Sequence, residues 1–452
     1  MSLRKYVGTD GIRGKANVEL DVNLAYRTGM ALGAVLREEL GRRPLVFIGR
    51  DTRISGGMLE AALTAGLCTV GADVTGLGVM PTPAVAYLTA NTPDADAGIV
   101  ISASHNPFAD NGIKIFGGAG YKLTDEEEAR MEAYIDAPAP LRMTDGDLGA
   151  LRPFAGDPVE AYVRHVAATA PCRLNGMRIV VDCANGAASA TAEALFRIMG
   201  ADAVILNQSP NGVNINEDCG STHIQALQEA VRHGSFTAGV AFDGDADRCL
   251  MVDETGELMD GDHIIGLLAE DMKRRGKLHG GVVGTILTNL GLHAFLSQQE
   301  IPILTTKVGD RYVLETMRER GWNIGGEQSG HVILSDHATT GDGQLTAVQL
   351  LCALKSSGCK ASQLNSRIES FPQVAINVPV SNSLKHQVAQ LPAVQQVGRE
   401  IADFFGGAGR VVIRPSGTEP KVRVMVEGRD PEQVQQQAEH AAQVVAAAVA
   451  EL

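Results

Sequence analysis

Residues Gly98–Phe116 read GIVISASHNPFADNGIKIF, and this stretch decides the predicted fold class. An apolar, β-branched run at Ile99–Ile101 stops at the polar segment Ser102–Pro107, and a second apolar run follows at Ile113–Phe116. The pattern predicts a buried strand that delivers a polar loop to its carboxyl end, where open α/β sheets bind ligands. With Lys114, the loop offers two serines, a histidine, an asparagine and a cation. A polar turn without function is an equally good interpretation of this stretch taken alone.

The same order of a strand, a polar loop and a helix recurs along the chain. It predicts three similar α/β domains with mixed sheets, followed by a smaller C-terminal α+β domain. A stretch rich in Pro, Ala, Gly and Asp lies before residue 158, and Phe371-Pro372 interrupts the third domain. The predicted domains are residues 1–155, 156–257, 258–370 and 371–452. Within them we expect, among others, a capped acidic helix from Thr124, a helix at Ser189–Met199 and paired strands at Val411–Ile413 and Val422–Val426.

Composition limits the possible functions. The 452 residues include many glycines and few aromatics, which suits α/β layers. With 39 basic and 53 acidic residues the formal charge is −14, so nothing global favours a nucleic acid or an anionic membrane as partner. Seven scattered cysteines without a CxxC pair argue against a disulfide framework and a zinc site. Without an apolar signal core or a membrane-length segment, we expect a cytoplasmic chain.

Two arginine-bearing segments near the N-terminus could meet an anion. Tyr6–Gly14 places three glycines around an Asp and Arg13, so backbone amides and one guanidinium could approach a phosphate. A plain glycine turn is the slightly favoured alternative there. For Arg50–Arg53 we favour an ion-pair knot at the start of a helix over a phosphate site.

The segment Asp243–Arg248 reads DGDADR directly after a predicted buried strand, Ala238–Phe242. Carboxylates at i, i+2 and i+4 share one side of an extended segment, and Gly244 lets the backbone bend so that they converge. Such close like charges repel unless a cation neutralises them, and hard oxygen ligands favour Mg²⁺. A calcium EF-hand is excluded because Arg248 stands where that loop needs glycine. A solvated acidic turn is the weaker alternative.

Two later loops complete the set of polar segments. Gly325–His331 reads GGEQSGH and offers a Glu, a Ser and a His to sugar hydroxyls, although a surface hairpin is equally consistent with it. Arg414–Lys421 reads RPSGTEPK and combines Arg, Ser, Thr, Lys and glycine amides into an anion cradle, which we favour over a plain hairpin loop. Together with the serine and aspartate loops, they predict phosphoryl transfer on a phosphorylated polyol. A simple phosphatase would need no separate cradle for a phosphate that is not cleaved.

These motifs, in this order and over nearly the whole chain, resemble the α-D-phosphohexomutase family. The opening Arg4–Gly14, the loop Ser102–Pro107 and the segment Gly326–His331 are most similar to the family members that act on glucosamine phosphate. The sequence departs from the common pattern at Val7 and Ile115, where we expect Phe, and neither position carries chemistry.

The resemblance implies a role for each matching residue. Ser104 would carry the phosphoryl group, while its neighbour Ser102 stays unmodified. The Mg²⁺ ligands would be a phosphoserine 104 oxygen with Asp243, Asp245 and Asp247. Charge and acid/base positions would be Arg13, Lys114 and His331. The substrate would be bound by Glu327, Ser329, Arg248, Arg414, Ser416, Gly417 and Thr418.

The resemblance also implies the reaction and a central cleft between the four domains. Phosphoserine 104 would convert glucosamine 6-phosphate through glucosamine 1,6-bisphosphate into glucosamine 1-phosphate, a precursor for amino-sugar nucleotides of the cell wall. The alternatives are a mutase for glucose or mannose phosphates and a non-catalytic phosphosugar-binding protein. A homodimer is common in the family, and no nucleic acid or membrane partner is expected.

Overall fold

The computed structural model describes residues 5–8, 11–136, 142–416, 420–450 and 452, which form four β-sheets with helices packed on them. The sheets follow one another along the chain, and we call the segments that carry them the first to fourth unit. Three mixed α/β sheets precede a small antiparallel one. The predicted fold class is therefore confirmed.

The first unit is built on a six-stranded mixed sheet. Its elements are β1 (Val7–Gly8), β2 (Gly11–Lys15), α1 (Val22–Leu40), β3 (Leu45–Arg50), α2 (Gly56–Thr69), β4 (Asp73–Val79), α3 (Thr82–Asn91), β5 (Ala97–Ile101), β6 (Asp110–Gly117), α4 (Asp125–Ile135) and a 3₁₀ turn (Asp145–Asp147). The strand order is β1-β2-β6-β5-β3-β4, with β5 parallel to β3 and antiparallel to β6. All residues of β5 are buried, as predicted, so its carboxyl end delivers the serine loop from the middle of the sheet. The predicted cap of α4 is a capping box between Thr124 and Glu127.

The second unit carries a five-stranded sheet in the order β11-β10-β9-β7-β8. Its elements are α5 (Pro158–Thr169), β7 (Arg178–Asp182), a 3₁₀ turn (Ala187–Ala190), α6 (Ala192–Met199), β8 (Asp202–Leu206), a 3₁₀ turn (Gly220–Thr222), α7 (Gln225–His233), β9 (Ala238–Phe242), β10 (Cys249–Asp253) and β11 (Leu258–Met259). The prediction of one helix from Ser189 was wrong at its start, because a 3₁₀ turn precedes α6. The Ala187 amide donates to the Gly244 carbonyl at 2.8 Å, so the aspartate loop holds this backbone outside an α-helical path.

The third unit has a four-stranded sheet in the order β13-β12-β14-β15. Its elements are α8 (Gly261–Arg274), β12 (Val282–Thr285), α9 (Leu290–Gln298), β13 (Ile303–Thr306), α10 (Asp310–Arg320), β14 (Ile324–Gly326), β15 (Val332–Leu334), α11 (Gly343–Ser357) and α12 (Ala361–Asn365). Strands β14 and β15 form an antiparallel hairpin. Its connection contains the Glu, Ser and His of the predicted sugar-binding loop.

The fourth unit is a three-stranded antiparallel sheet covered by helices. Its elements are β16 (Gln373–Pro379), α13 (Lys385–Val388), α14 (Pro392–Phe405), β17 (Gly409–Pro415), β18 (Lys421–Gly428) and α15 (Pro431–Ala450). The predicted pairing of the two strands beside the anion cradle is confirmed in β17 and β18. The Val and Ala face of α15 is buried, as expected for a packing surface.

Several apolar clusters hold the four units, one of them across three units and the others each within a single unit. One cluster of buried side chains contains Phe47 of the first unit, Phe242 of the second and Leu350 of the third. The fourth unit has a cluster of its own. It is joined to the third unit where buried Glu427 accepts a hydrogen bond from the Leu290 amide at 2.7 Å, at the N-terminus of α9. The first three units thus share packing, while the fourth is attached through hydrogen bonds at one end of its sheet.

Among the described residues, no helix is both long enough and apolar enough to cross a bilayer.

Candidate active site

The serine loop begins where β5 ends and turns sharply at Ser104. The backbone of Ser104 has φ of +54°, in the left-handed region that residues other than glycine rarely adopt. Its amide donates to Ser102 Oγ at 2.9 Å, and its own Oγ donates to Asp243 Oδ2 at 2.6 Å. The loop thus brings the hydroxyl of Ser104 to the aspartate loop of the second unit.

The aspartate loop follows the fully buried β9. Asp243, Asp245 and Asp247 are buried, and one carboxylate oxygen from each lies within 4.8 Å of the others. A Cβ at Gly244 would lie 2.5 Å from the Ser104 carbonyl oxygen, so only glycine allows the two loops to approach this closely. The predicted convergence of the three carboxylates is confirmed.

The donor set fits a hard divalent cation. Asp245 Oδ1 and Asp247 Oδ1 are buried without a hydrogen-bond partner among the described residues. Buried carboxylate oxygens need a compensating charge or donor. Oxygen ligands alone favour Mg²⁺ over the transition metals that select nitrogen or sulfur.

One cation and one hydroxyl of the first unit bind the carboxylates of this cluster. Lys114 Nζ donates to Asp245 Oδ2 at 2.8 Å and lies 3.4 Å from Asp247 Oδ2. Thr82 Oγ1 donates to the same oxygen of Asp245 at 2.6 Å. Because Lys114 comes from β6 and Thr82 from the start of α3, the first unit encloses the carboxylates of the second.

The pKa values of Asp243 and Asp247 are shifted in opposite directions. Burial, with the charges of Asp247 and Asp245 beside it, raises the pKa of Asp243 well above its ordinary value. Burial also opposes the charge of Asp247, but Lys114 and His331 outweigh it and hold the pKa of Asp247 below its ordinary range. Without a cation the charged carboxylate is therefore favoured at Asp247 and disfavoured at Asp243.

The hairpin of the third unit adds His331 and Glu327. His331 Nε2 accepts a hydrogen bond from the Gly341 amide at 3.2 Å, and its Nδ1 lies 3.6 Å from Asp247 Oδ2. Burial disfavours the imidazolium, but Asp247 in particular outweighs it and raises the pKa of His331. Glu327 Oε1 accepts from the Gly309 amide at 3.1 Å. The Ser329 hydroxyl is buried and has no hydrogen-bond partner among the described residues.

The hairpin of the fourth unit presents two arginines side by side. Arg414 on β17 lies opposite Arg423 on β18, and the Ser416 amide donates to the Lys421 carbonyl at 2.9 Å. Burial and the charge of Arg423 lower the pKa of Arg414, which favours an anion between them. The predicted cradle residues Gly417 and Thr418 lie outside the described residues.

All four units contribute to one cavity of about 410 Å³. Its lining includes Ser104 and Arg13 of the first unit, with Asp247 and Arg248 of the second. Most predicted site residues therefore meet here. Those among them that line the cavity in the third and fourth units are Glu327, His331, Arg414 and Ser416. Lys114, Asp243 and Asp245 are buried, bonded to lining residues or to one another, whereas Ser329 is not part of the lining.

Some site residues were missed in the sequence. Arg423 and Arg311 line the cavity, and Thr82 and Asn216 bind the aspartate and serine loops. Arg423 had a local signal, since it alternates with valines opposite Arg414. For Thr82 and Asn216 the sequence held none, because their partners are distant along the chain.

Four phosphoglucomutase/phosphomannomutase domains match in order: alpha/beta/alpha domain I at residues 4–141, domain II at 160–256, domain III at 260–371 and the C-terminal domain at 376–444. The chain belongs to the phosphoglucomutase/phosphomannomutase family. This membership confirms the resemblance drawn from the motifs.

Within the family, the similar curated proteins include several named phosphoglucosamine mutase. One from Acetivibrio thermocellus is 48% identical over 433 residues, covering 95% of this chain and 96% of its own. Another from Desulforamulus reducens is 49% identical over 446 residues, covering 98% and 99%.

Solved structures of the family share the fold over the full chain. A phosphoglucomutase/phosphomannomutase family protein from Burkholderia thailandensis has a TM-score of 0.83 at 25% identity, covering 99% of this chain and 98% of its own. N-acetylphosphoglucosamine mutase of Aspergillus fumigatus, solved with GlcNAc-6P and magnesium, has a TM-score of 0.73 at 19% identity, covering 99% and 96%. The second likeness shows the common fold.

Proposed function

We propose that this chain is a phosphoglucosamine mutase, an isomerase that interconverts glucosamine 6-phosphate and glucosamine 1-phosphate. The observation that carries the proposal is the 2.6 Å hydrogen bond from Ser104 Oγ to Asp243, beside a cavity that also contains Arg414 and Ser416. A nucleophile at a carboxylate cluster, facing a second anion site, is the arrangement that transfer between two ends of one sugar requires. Relatives of the same name at nearly full coverage support the choice of sugar.

The proposed Mg²⁺ ligands are Asp243, Asp245, Asp247 and an oxygen of phosphoserine 104. The set is supported by the close approach of the three carboxylates and by the buried Asp245 Oδ1 and Asp247 Oδ1, which have no hydrogen-bond partner among the described residues. When bound there, Mg²⁺ would spread negative charge away from the transferring phosphoryl group. Lys114 would keep Asp245 and Asp247 in place through its contacts with both carboxylates.

In the proposed reaction, the bond from phosphorus to the Ser104 oxygen breaks while a bond from phosphorus to the sugar hydroxyl oxygen forms. The sugar hydroxyl gives up its proton as the new bond forms, and the released serine oxygen takes up one proton; we propose that His331 carries this proton between the two oxygens, so that no net proton is gained or lost. Arg13 and Arg248 line the cavity beside Ser104 and would stabilise the transferring charge. The resulting glucosamine 1,6-bisphosphate would reorient in the cavity and return its other phosphoryl group to Ser104.

Sugar and distal phosphate are assigned to separate loops. Glu327 and Ser329 would contact sugar hydroxyls. Arg414 and Ser416, with Gly417 and Thr418, would hold whichever phosphate is not reacting. A single cradle can serve both half-reactions because the bisphosphate presents a phosphate at either end.

A mutase for glucose or mannose phosphates is the second candidate, since the four matching domain models carry those sugars in their descriptions. Turnover of glucosamine, glucose and mannose 6-phosphates by the purified protein, with phosphopeptide mapping of Ser104, separates the two. We expect the highest kcat/KM with glucosamine 6-phosphate and phosphate on the Ser104 peptide. Faster turnover of a neutral sugar would favour the second candidate. No isomerisation and no phosphoserine would favour a non-catalytic phosphosugar-binding protein.

The proposal includes the setting implied by the family resemblance. The protein would act in the cytoplasm as a homodimer, in domains with limits near residues 155, 257 and 370, and supply a precursor of UDP-N-acetylglucosamine. Light scattering of the purified chain would test the dimer.

A further inference from the structure

The side chain of Arg53 is completely buried behind the serine loop. Its Nε donates to Asp51 Oδ2 at 2.8 Å. The four N–H groups of its two terminal nitrogens point to backbone carbonyls of the loop, those of Ser104 at 2.9 Å, Asn106 at 2.8 Å, Asp110 at 3.0 Å and Pro107. All five side-chain donors of one guanidinium are thus used, four of them on the segment that carries the nucleophile.

Asp51 connects the same guanidinium to the other side of Ser104. Asp51 Oδ2 also accepts from Ser102 Oγ at 2.6 Å, and Ser102 Oγ in turn accepts from the Ser104 amide at 2.9 Å. The hydrogen bonds therefore close a ring, from the Ser104 amide through Ser102, Asp51 and Arg53 back to the Ser104 carbonyl. Both peptide groups of Ser104 are fixed.

This ring lies where the backbone is strained. A left-handed φ at a residue other than glycine is strained and persists only when its surroundings impose it. Asn216 of the second unit adds a hydrogen bond to the Ser104 carbonyl at 3.0 Å. The strained conformation is the one in which Oγ reaches Asp243.

We propose that Asp51, Arg53 and Ser102 are positioning residues for phosphoryl transfer, an inference that rests on the function proposed above. None of them lines the cavity, so they act through Ser104 by holding its backbone and aiming its oxygen at the carboxylate cluster. Ser102 donates its hydroxyl to Asp51 outside the cavity lining, whereas Ser104 lines the cavity, and this difference distinguishes the two serines of one loop. Ser104 alone is then the phosphoryl acceptor.

The test compares full-length Arg53→Lys and Ser102→Ala with a matched control, Arg50→Lys. Arg50 lies in the same segment, but its Nε binds Glu60 at 2.9 Å. The measurement is the single-turnover rate constant for transfer from ³²P-labelled phosphoserine 104 to glucosamine 6-phosphate. This rate constant does not depend on how much of the sample is folded, so a loss of stability alone leaves it unchanged.

We expect the rate constant to fall about 10²-fold in Arg53→Lys, the scale of a reacting atom misplaced by one ångström. In Ser102→Ala we expect a loss of about tenfold, the rate equivalent of one lost hydrogen bond. The KM for glucosamine 6-phosphate should stay at the wild-type value because none of these residues contacts substrate. Arg50→Lys should transfer at the wild-type rate.

Wild-type rate constants in both variants, or an equal loss in Arg50→Lys, would overturn the positioning role. If Arg53→Lys does not fold, Ser102→Ala decides. Phosphate on Ser102 in a Ser104→Ala chain would also contradict it. Wild-type turnover by Ser104→Ala would instead refute the proposed function, so the two failures are distinguishable.

Discussion

The two regions assigned to phosphate are built in opposite ways. Around Ser104 and the three aspartates, side chains from two units are buried together, and Ser104 and Lys114 are each only 2% exposed. The cradle is one hairpin of the fourth unit, whose Arg414 and Arg423 are half-buried. One apolar cluster joins the three units that surround the first region, and none of the described residues of the fourth unit, which carries the second region, belongs to it.

The difference separates two requirements of the proposed reaction. Transfer needs fixed atoms and little water, because water would hydrolyse a phosphoserine. Binding of the distal phosphate needs charge and access, because the sugar must enter and present either end. A rigid junction supplies the former and an open hairpin supplies the latter.

Removal of the nucleophile should have the largest effect. In Ser104→Ala we expect kcat to fall by at least about 10⁴-fold, as when other enzymes lose a nucleophile, with unchanged circular dichroism and melting temperature. Ser209→Ala, at an exposed serine, is the control. Full activity of the Ser104 variant would exclude it as the phosphoryl carrier.

Removal of one carboxylate charge from the metal cluster should have the second largest effect on activity. Asp245→Asn keeps the size of the side chain but removes the charge next to Lys114, so we expect kcat to fall about 10²–10³-fold. Activity measured against Mg²⁺ after treatment with EDTA should show weakened or absent metal dependence. The control is Asp218→Asn, an exposed position with positive φ that Asn tolerates. Metal dependence equal to wild type in the Asp245 variant would count against the carboxylate trio.

A change in the cradle should cost less and affect binding. In Arg414→Lys we expect kcat/KM to fall about tenfold, mainly through KM, because Lys lacks the planar fork that grips phosphate. Intact mass should still show phosphate on Ser104. Arg399→Lys, at an exposed position of α14, is the control. A loss confined to kcat would contradict the assignment of phosphoryl transfer to the region around Ser104 and of distal-phosphate binding to the cradle.

The smallest effect concerns the shared core beneath the transfer region. Burial raises the pKa of Asp342 from 3.8 to about 6. Because this folded-state pKa exceeds the unfolded one, the proton stabilises the fold at low pH, and that contribution is lost as the pH rises from about 4 to about 6. Asp342→Asn keeps the acceptor for Tyr162 and Leu345, so its unfolding free energy should exceed that of wild type by about 1–3 kcal/mol above pH 6.

Urea denaturation of both proteins between pH 4 and pH 8 checks this. The two curves of unfolding free energy against pH should diverge between about pH 4 and about pH 6 and run parallel above that range. Parallel curves throughout would show that Asp342 has the same pKa in both states.

Local sequence patterns were sufficient for the fold class and for several loops of the site. The apolar run of β5, the DGDADR segment after β9 and the strands beside the cradle each have a signal within about ten residues. The ion-pair knot favoured at Arg50–Arg53 is also confirmed, as the buried pair of Arg53 and Asp51.

The partners of these loops could not be predicted in the same way. Thr82 and Asp245 are 163 residues apart, and Asn216 and Ser104 are 112 apart. Such contacts depend on how separately formed sheets dock, and no periodicity in the sequence records that. The contacts of Arg53 with four backbone carbonyls could not be predicted either, because every residue has a carbonyl and residue identity does not reveal which of them accept a hydrogen bond.

The bond between Ser104 and Asp243 spans 139 residues. During synthesis the first unit therefore leaves the ribosome on the order of ten seconds before the aspartate loop exists. During that interval the side chains available to fix the serine turn are those of its own unit, Arg53 and Asp51 among them. Nascent chains arrested before residue 247 would therefore differ from longer ones at the serine turn, because only the longer ones can form the hydrogen bond from Ser104 to Asp243.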